Sequence, residues 1–67
     1  MAELQRRLMT RAEVAELLGL TERTLRRWAA SGVGPDCFHV GREIRYRTEA
    51  VTQWVDQQET HARRGAA

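Results

Sequence analysis

Sixty-seven residues, 42% hydrophobic and 30% charged, make one small domain that can bury only about 60% of its unfolded surface and so depends on a single compact core. The one cysteine, Cys37, excludes an intramolecular disulfide, and no apolar run reaches the roughly 18 residues that a membrane span needs. The formal net charge is only +2, but it is unevenly placed: residues 21–47 hold six arginines against three acids, residues 48–60 hold three acids and no arginine, and lysine is absent throughout.

In chain order, residues 1–8 read as an N-terminal extension. The opening MAELQRRLMT is too polar for a signal peptide, so the cytoplasm is the expected compartment. Thr10 followed by Glu13 is a capping box, and Met9 and Val14 stand at the spacing of a hydrophobic staple. A helix is therefore predicted over about 11–18, with Val14, Leu17 and Leu18 on its apolar side and Gly19 as its stop. The start signal then repeats at once, with Thr21 as N-cap and Leu20 stapled to Leu25. So short a turn makes two helices cross steeply.

At 100° per residue, Leu25, Trp28 and Ala29 fall on one side of this second helix, and Arg23, Arg26, Arg27 and Ala30 on the other. Most helices carry a solvated charged face. Here Glu22 is the only acid in the helix, so most of the positive charge lacks a neutralising neighbour one turn away, and like charges so close are destabilising. A self-repelling surface suits an anionic partner.

The Gly/Pro cluster SGVGPD at 31–36 ends the helical half, and CFHVGREIRYR then alternates apolar and polar residues around Gly41, a hairpin pattern. A three-residue loop at 41–43 would set Val40 opposite Ile44 and Phe38 opposite Tyr46 on one face, leaving His39 and Arg45 outside; a two-residue turn would pair Val40 with Glu43. The first register is expected, because it gathers the apolar residues. Cys37 is expected to be half-buried and structural, and His39 an exposed strand residue. Thr48 should cap a third helix with Val51, Trp54 and Val55 inward; from Asp56 the apolar pattern fades, and residues 57–67 are expected to fray.

The predicted architecture is mainly α with a small β-hairpin: helix, helix, two-stranded wing, helix, a winged helix-turn-helix over residues 9–56. In such a unit the second helix enters the DNA major groove with its N-terminal turn deepest. Thr21, Glu22, Arg23 and Thr24 are then the base-edge candidates, and Arg26 and Arg27 fall nearer the phosphates. Thr10 and Arg11 at the amide-rich start of the first helix, and Arg42, Arg45 and Arg47 on the wing, are further phosphate candidates.

The stretch TRAEVAELLGLTERTLRRWAASGVGP, with VGREIRYRTEAVTQWV after it, resembles the MerR-like winged helix of phage and plasmid excisionases and of small AlpA-type regulators, over about residues 8–55. Within the resemblance, VGREIRYR leading into a helix that ends QWV is more specific than the helix-turn-helix half. It implies DNA contacts at Arg23, Thr24, Arg26, Arg27, Arg42 and Arg45. Cys37, His39 and the acidic Glu43 depart from the family's usual wing. Excisionases are non-catalytic proteins that bind side by side near an attachment site, bend the DNA and turn an integrase towards excision.

The resemblance therefore implies double-stranded DNA, a cognate integrase and neighbouring copies as partners. Without the long dimerising helix of full MerR regulators, the chain is expected to be a monomer in free solution. A small transcription regulator fits nearly as well. Neither a catalytic triad, metal-ligand spacing nor a Gly-rich phosphate loop is present, so no enzyme, metal or cofactor is expected. A protein-binding module whose arginines meet an acidic surface is the remaining class; purified protein that retains nucleic acid until high salt removes it would separate the two.

Overall fold

The computed structural model describes residues 7–66. Residues 1–6 of the expected N-terminal extension lie outside the described residues. The elements are β1 (Leu8–Met9), α1 (Arg11–Leu18), α2 (Glu22–Ser31), β2 (Cys37–Val40), β3 (Glu43–Arg47) and α3 (Thr48–Ala66). The order is that of a winged helix-turn-helix, with one strand more than the sequence pattern indicates. Two residues are too few to show alternation, so β1 is legible only through its partner.

Both ends of α1 close as their residues dictate. Thr10 Oγ1 accepts from the Glu13 amide at 3.1 Å, and the Thr10 amide donates to Glu13 Oε1 at 2.9 Å, the reciprocal bonds of a capping box. At the far end Gly19 N donates to Glu16 O and Leu20 N to Ala15 O, which together make a Schellman closure. Three residues later α2 begins behind the Thr21 cap, and it ends the same way, with Gly32 N on Ala29 O and Val33 N on Trp28 O.

The core is Val14, Ala15, Leu25, Tyr46 and Val51, ringed by Met9, Leu18, Leu20, Trp28, Cys37 and Ile44. Leu17 is 62% exposed, contrary to the expected Val14, Leu17, Leu18 stripe. Val14, Ala15 and Leu18 share an arc of about 100°, and Leu17 lies about 110° from its middle at 100° per residue. The small Ala15 takes the inward place because α1 packs against α2 and β3 together. Ala29, expected beside Leu25, is likewise exposed.

The sheet order is β1-β3-β2, with both pairings antiparallel. The hairpin register corrects the expectation: Val40 pairs with Glu43, His39 with Ile44, Phe38 with Arg45 and Cys37 with Tyr46, across the two-residue turn Gly41–Arg42. Gly41 has φ +66° and Arg42 has no positive φ, the pattern of a II′ turn, whose twist matches the strands it joins. Slipping one strand by a residue exchanges its faces. Cys37 and His39 therefore share the face of Tyr46 and Ile44, with His39 exposed as expected, while Phe38, 37% exposed, and Val40, 50% exposed, lie on the other face with Arg45 and Glu43. Cys37 is half-buried, as expected.

Thr48, expected as a cap, is the first residue of α3, which follows β3 directly. Val51 is buried, and Trp54 stacks on Trp28 with centroids 5.4 Å apart and planes at 45°. Helical geometry continues past residue 57 to Ala66. Once its first turns are packed, each further residue adds a hydrogen bond without new nucleation. Glu59 and Arg63 pair one turn apart, and Arg63 and Arg64 sit in the last turn, where cations suit the helix dipole.

Candidate nucleic-acid interface

Arg23, Arg26 and Arg27 project from α2 opposite the buried Leu25, and all three are exposed. They span about 100° of the helix circumference. Among the described residues, none of their side chains takes part in an ion pair or a hydrogen bond. Glu22 is exposed at the start of the same helix. Thr21 has a structural occupation: its hydroxyl accepts from the Thr24 amide at 3.2 Å and lies 3.1 Å from the Thr24 hydroxyl. A base contact by either threonine would have to share that pair.

At the amino end of α1 the capping box already uses the Thr10 amide and hydroxyl. The hydrogen bond from the Thr10 backbone, then that with its side chain, and lastly the charge of Arg45, hold the Glu13 carboxyl below the usual carboxylate range. Arg11 is half-buried, and its Nε is enclosed without a hydrogen-bond partner. A phosphate arriving here would meet the first-turn amides of α1 but also the Glu13 carboxylate.

The wing arginines differ from one another. Arg42 is exposed at the tip. The Arg47 guanidinium lies 5.6 Å from the centroid of the Phe38 ring, a cation–π stack that limits its freedom. Arg45 turns back on its own strand: Nη1 donates to the Ile44 carbonyl at 2.8 Å and stands 3.9 Å from Glu43 Oε2. Phe38 as a platform for Arg47 is not legible in the sequence pattern, because the expected register puts Phe38 in the core. A glycine-led two-residue turn is the signal that points to it.

The β1–β3 ladder brings the wing beside the start of α1, while α2 is held through Leu25 and the Trp28–Trp54 stack. Pairing of Met9 with Tyr46 places Thr10, the next residue, alongside Arg45. No cluster of three or more His, Cys, Asp or Glu able to hold a metal occurs among the described residues, and no helix among them is long and apolar enough to cross a membrane.

A family model described as a helix-turn-helix domain matches residues 8–59, from β1 into the second half of α3. No curated protein matches the chain. With two capped helices joined by a three-residue turn, an exposed arginine face on the second, and a matched span covering most of its length, the chain belongs to the helix-turn-helix domain family of DNA-binding proteins.

Proposed function

We propose that this chain is an excisionase: a non-catalytic, cytoplasmic protein that binds attachment-site DNA, bends it and favours integrase-driven excision. The observation that carries the DNA-binding half is the exposed, internally unpartnered face of Arg23, Arg26 and Arg27 on α2. The excision half draws on the resemblance of residues 8–55 to MerR-like excisionases. In this reading the first turn of α2 reads base edges, while Arg26, Arg27, the start of α1 and the wing hold phosphates on either side.

One domain of this size covers about 600–1,000 Å² of its surface on DNA, which gives a steep salt dependence but modest specificity. Useful occupancy then requires several copies side by side, each favoured by a bend that its neighbour has imposed. A contact between unlike surfaces propagates head to tail. The candidate contact surfaces are the wing tip around Arg42 and Glu43 on one copy and the acidic part of α3, with Glu49 and Asp56, on the next.

The test is footprinting on attachment-site DNA over a concentration series, with ultracentrifugation of the free protein. A free monomer that protects tandem direct repeats cooperatively supports the excisionase. A stable free dimer on one palindromic operator overturns it in favour of a small transcription regulator, a reading to which the extension of α3 beyond the core would lend a dimer surface.

A further inference from the structure

Arg47 lies on the central strand β3, opposite Leu8 of β1 and diagonal to Phe38 of β2, which pairs with Arg45 two residues earlier. Diagonal neighbours across a ladder are within reach of long and aromatic side chains, and the Arg47 guanidinium is 5.6 Å from the centroid of the Phe38 ring. Phe38 is 37% exposed and Arg47 is exposed, so the stack stands at the surface of the sheet. Among the described residues, the Arg47 side chain takes part in no ion pair or hydrogen bond.

How a cation is held decides what it can still bind. Arg45 is held through its donors: Nη1 donates to the Ile44 carbonyl and stands 3.9 Å from Glu43 Oε2. An aromatic ring holds a guanidinium by its π face and takes up no donor, so all five N–H groups of Arg47 stay available. Arg42 has free donors too, but at the turn it has neither a ring nor an acid among the described residues to fix it.

We propose that Arg47 is a phosphate contact of the wing and that Phe38 is its positioning residue: the ring fixes the guanidinium at the sheet surface before DNA arrives, with its donors unused. This rests on the DNA-binding reading and deepens it by giving an apolar residue a part in affinity. Holding the cation in place beforehand avoids the loss of side-chain freedom that binding otherwise entails. The gain cannot exceed the stability of the stack, which at an exposed site amounts to about two- to fivefold in affinity.

The experiment measures binding of the full chain to a short mixed-sequence duplex by fluorescence anisotropy across a salt series, well below the melting temperature of every variant. Removing one arginine–phosphate pairing lowers the slope of log K against log salt by about 0.9, and Arg47→Gln should show that reduction. Phe38→Leu keeps apolar bulk but removes the π face. It should weaken binding about two- to fivefold with the slope unchanged, whereas Phe38→Tyr should bind as the wild type does. In the Arg47→Gln background, Phe38→Leu should cost nothing further. With a wild type that binds duplex, three results overturn the proposal: an unaltered slope in Arg47→Gln, an unaltered affinity in Phe38→Leu, or a Phe38→Leu loss that persists in full beside Arg47→Gln. Proton NMR of the free chain gives an arm independent of DNA. The ring should shift the Arg47 side-chain protons upfield in the wild type and in Phe38→Tyr, but not in Phe38→Leu. Ordinary Arg47 shifts in the wild type would overturn the positioning role whatever the chain does with DNA. Upfield shifts in a wild type that bound no duplex would instead overturn the DNA-binding reading, and the phosphate contact with it.

Discussion

Gly34 gives the sharpest test of how α2 is fixed to the rest of the domain. A Cβ built there would lie 2.7 Å from Trp28 Cε3 and 3.4 Å from Trp28 Cβ, at a backbone φ of +80°. Gly32 is its natural control, with φ +73° and nothing within 4 Å of the added carbon. Alanine at either position incurs roughly 1–2 kcal/mol for the left-handed backbone, and either loses similar freedom in the unfolded chain. Only Gly34→Ala adds a clash, against a ring that cannot retreat freely because it is stacked on Trp54. Overpacking of this kind costs about 1–3 kcal/mol. A domain of this length has a total stability of only about 3–10 kcal/mol, and each kcal/mol is worth about 4–8 °C in Tm. Gly34→Ala should therefore melt clearly below Gly32→Ala in a circular-dichroism scan, and its tryptophan emission should shift while that of the control does not. Equal melting temperatures with unchanged emission would show that Trp28 is not pinned between Gly34 and Trp54, and the account of how α2 is anchored would fail.

Leu25→Ala, which removes a fully buried side chain, should cost about 2–5 kcal/mol in denaturant unfolding; a scarcely shifted transition would contradict its place in the core. Arg23→Ala should relax preference for the cognate site by about 1–3 kcal/mol relative to random DNA, whereas Arg27→Ala should weaken both alike; titrations showing the reverse would mean that α2 docks differently. The Glu13 carboxyl is held below its ordinary value of 4.5, so its contribution to stability is present above that pH and is lost as pH falls through the lower, folded value. Glu13→Gln should consequently lower the neutral region of a Tm-against-pH curve towards its acid value and so flatten the acid limb, and an acid limb identical to that of the wild type would refute the coupling.

Local chemistry alone determined where the first two helices start and stop, and which way the arginines of α2 face. A threonine cap with a glutamate three residues on, a glycine able to adopt positive φ, and a 100° step per residue act within a few positions of the chain, so no distant partner is needed to read them. Three matters were decided only by tertiary structure. Leu17 and Ala15 exchanged places because the inward arc of α1 is set by two neighbours, α2 and β3, and not by its own composition. The hairpin register turned on a single residue of slip, which alternation allows in either sense, until Tyr46 and Ile44 were held against the helices and Gly41 closed a two-residue turn. Arg45 reads as one more wing cation in sequence. It stands beside the α1 cap only because Leu8 and Met9, too short to signal a strand, pair with the far edge of β3. A pairing between distant residues is a property of the assembled sheet, which a periodicity within either strand cannot express.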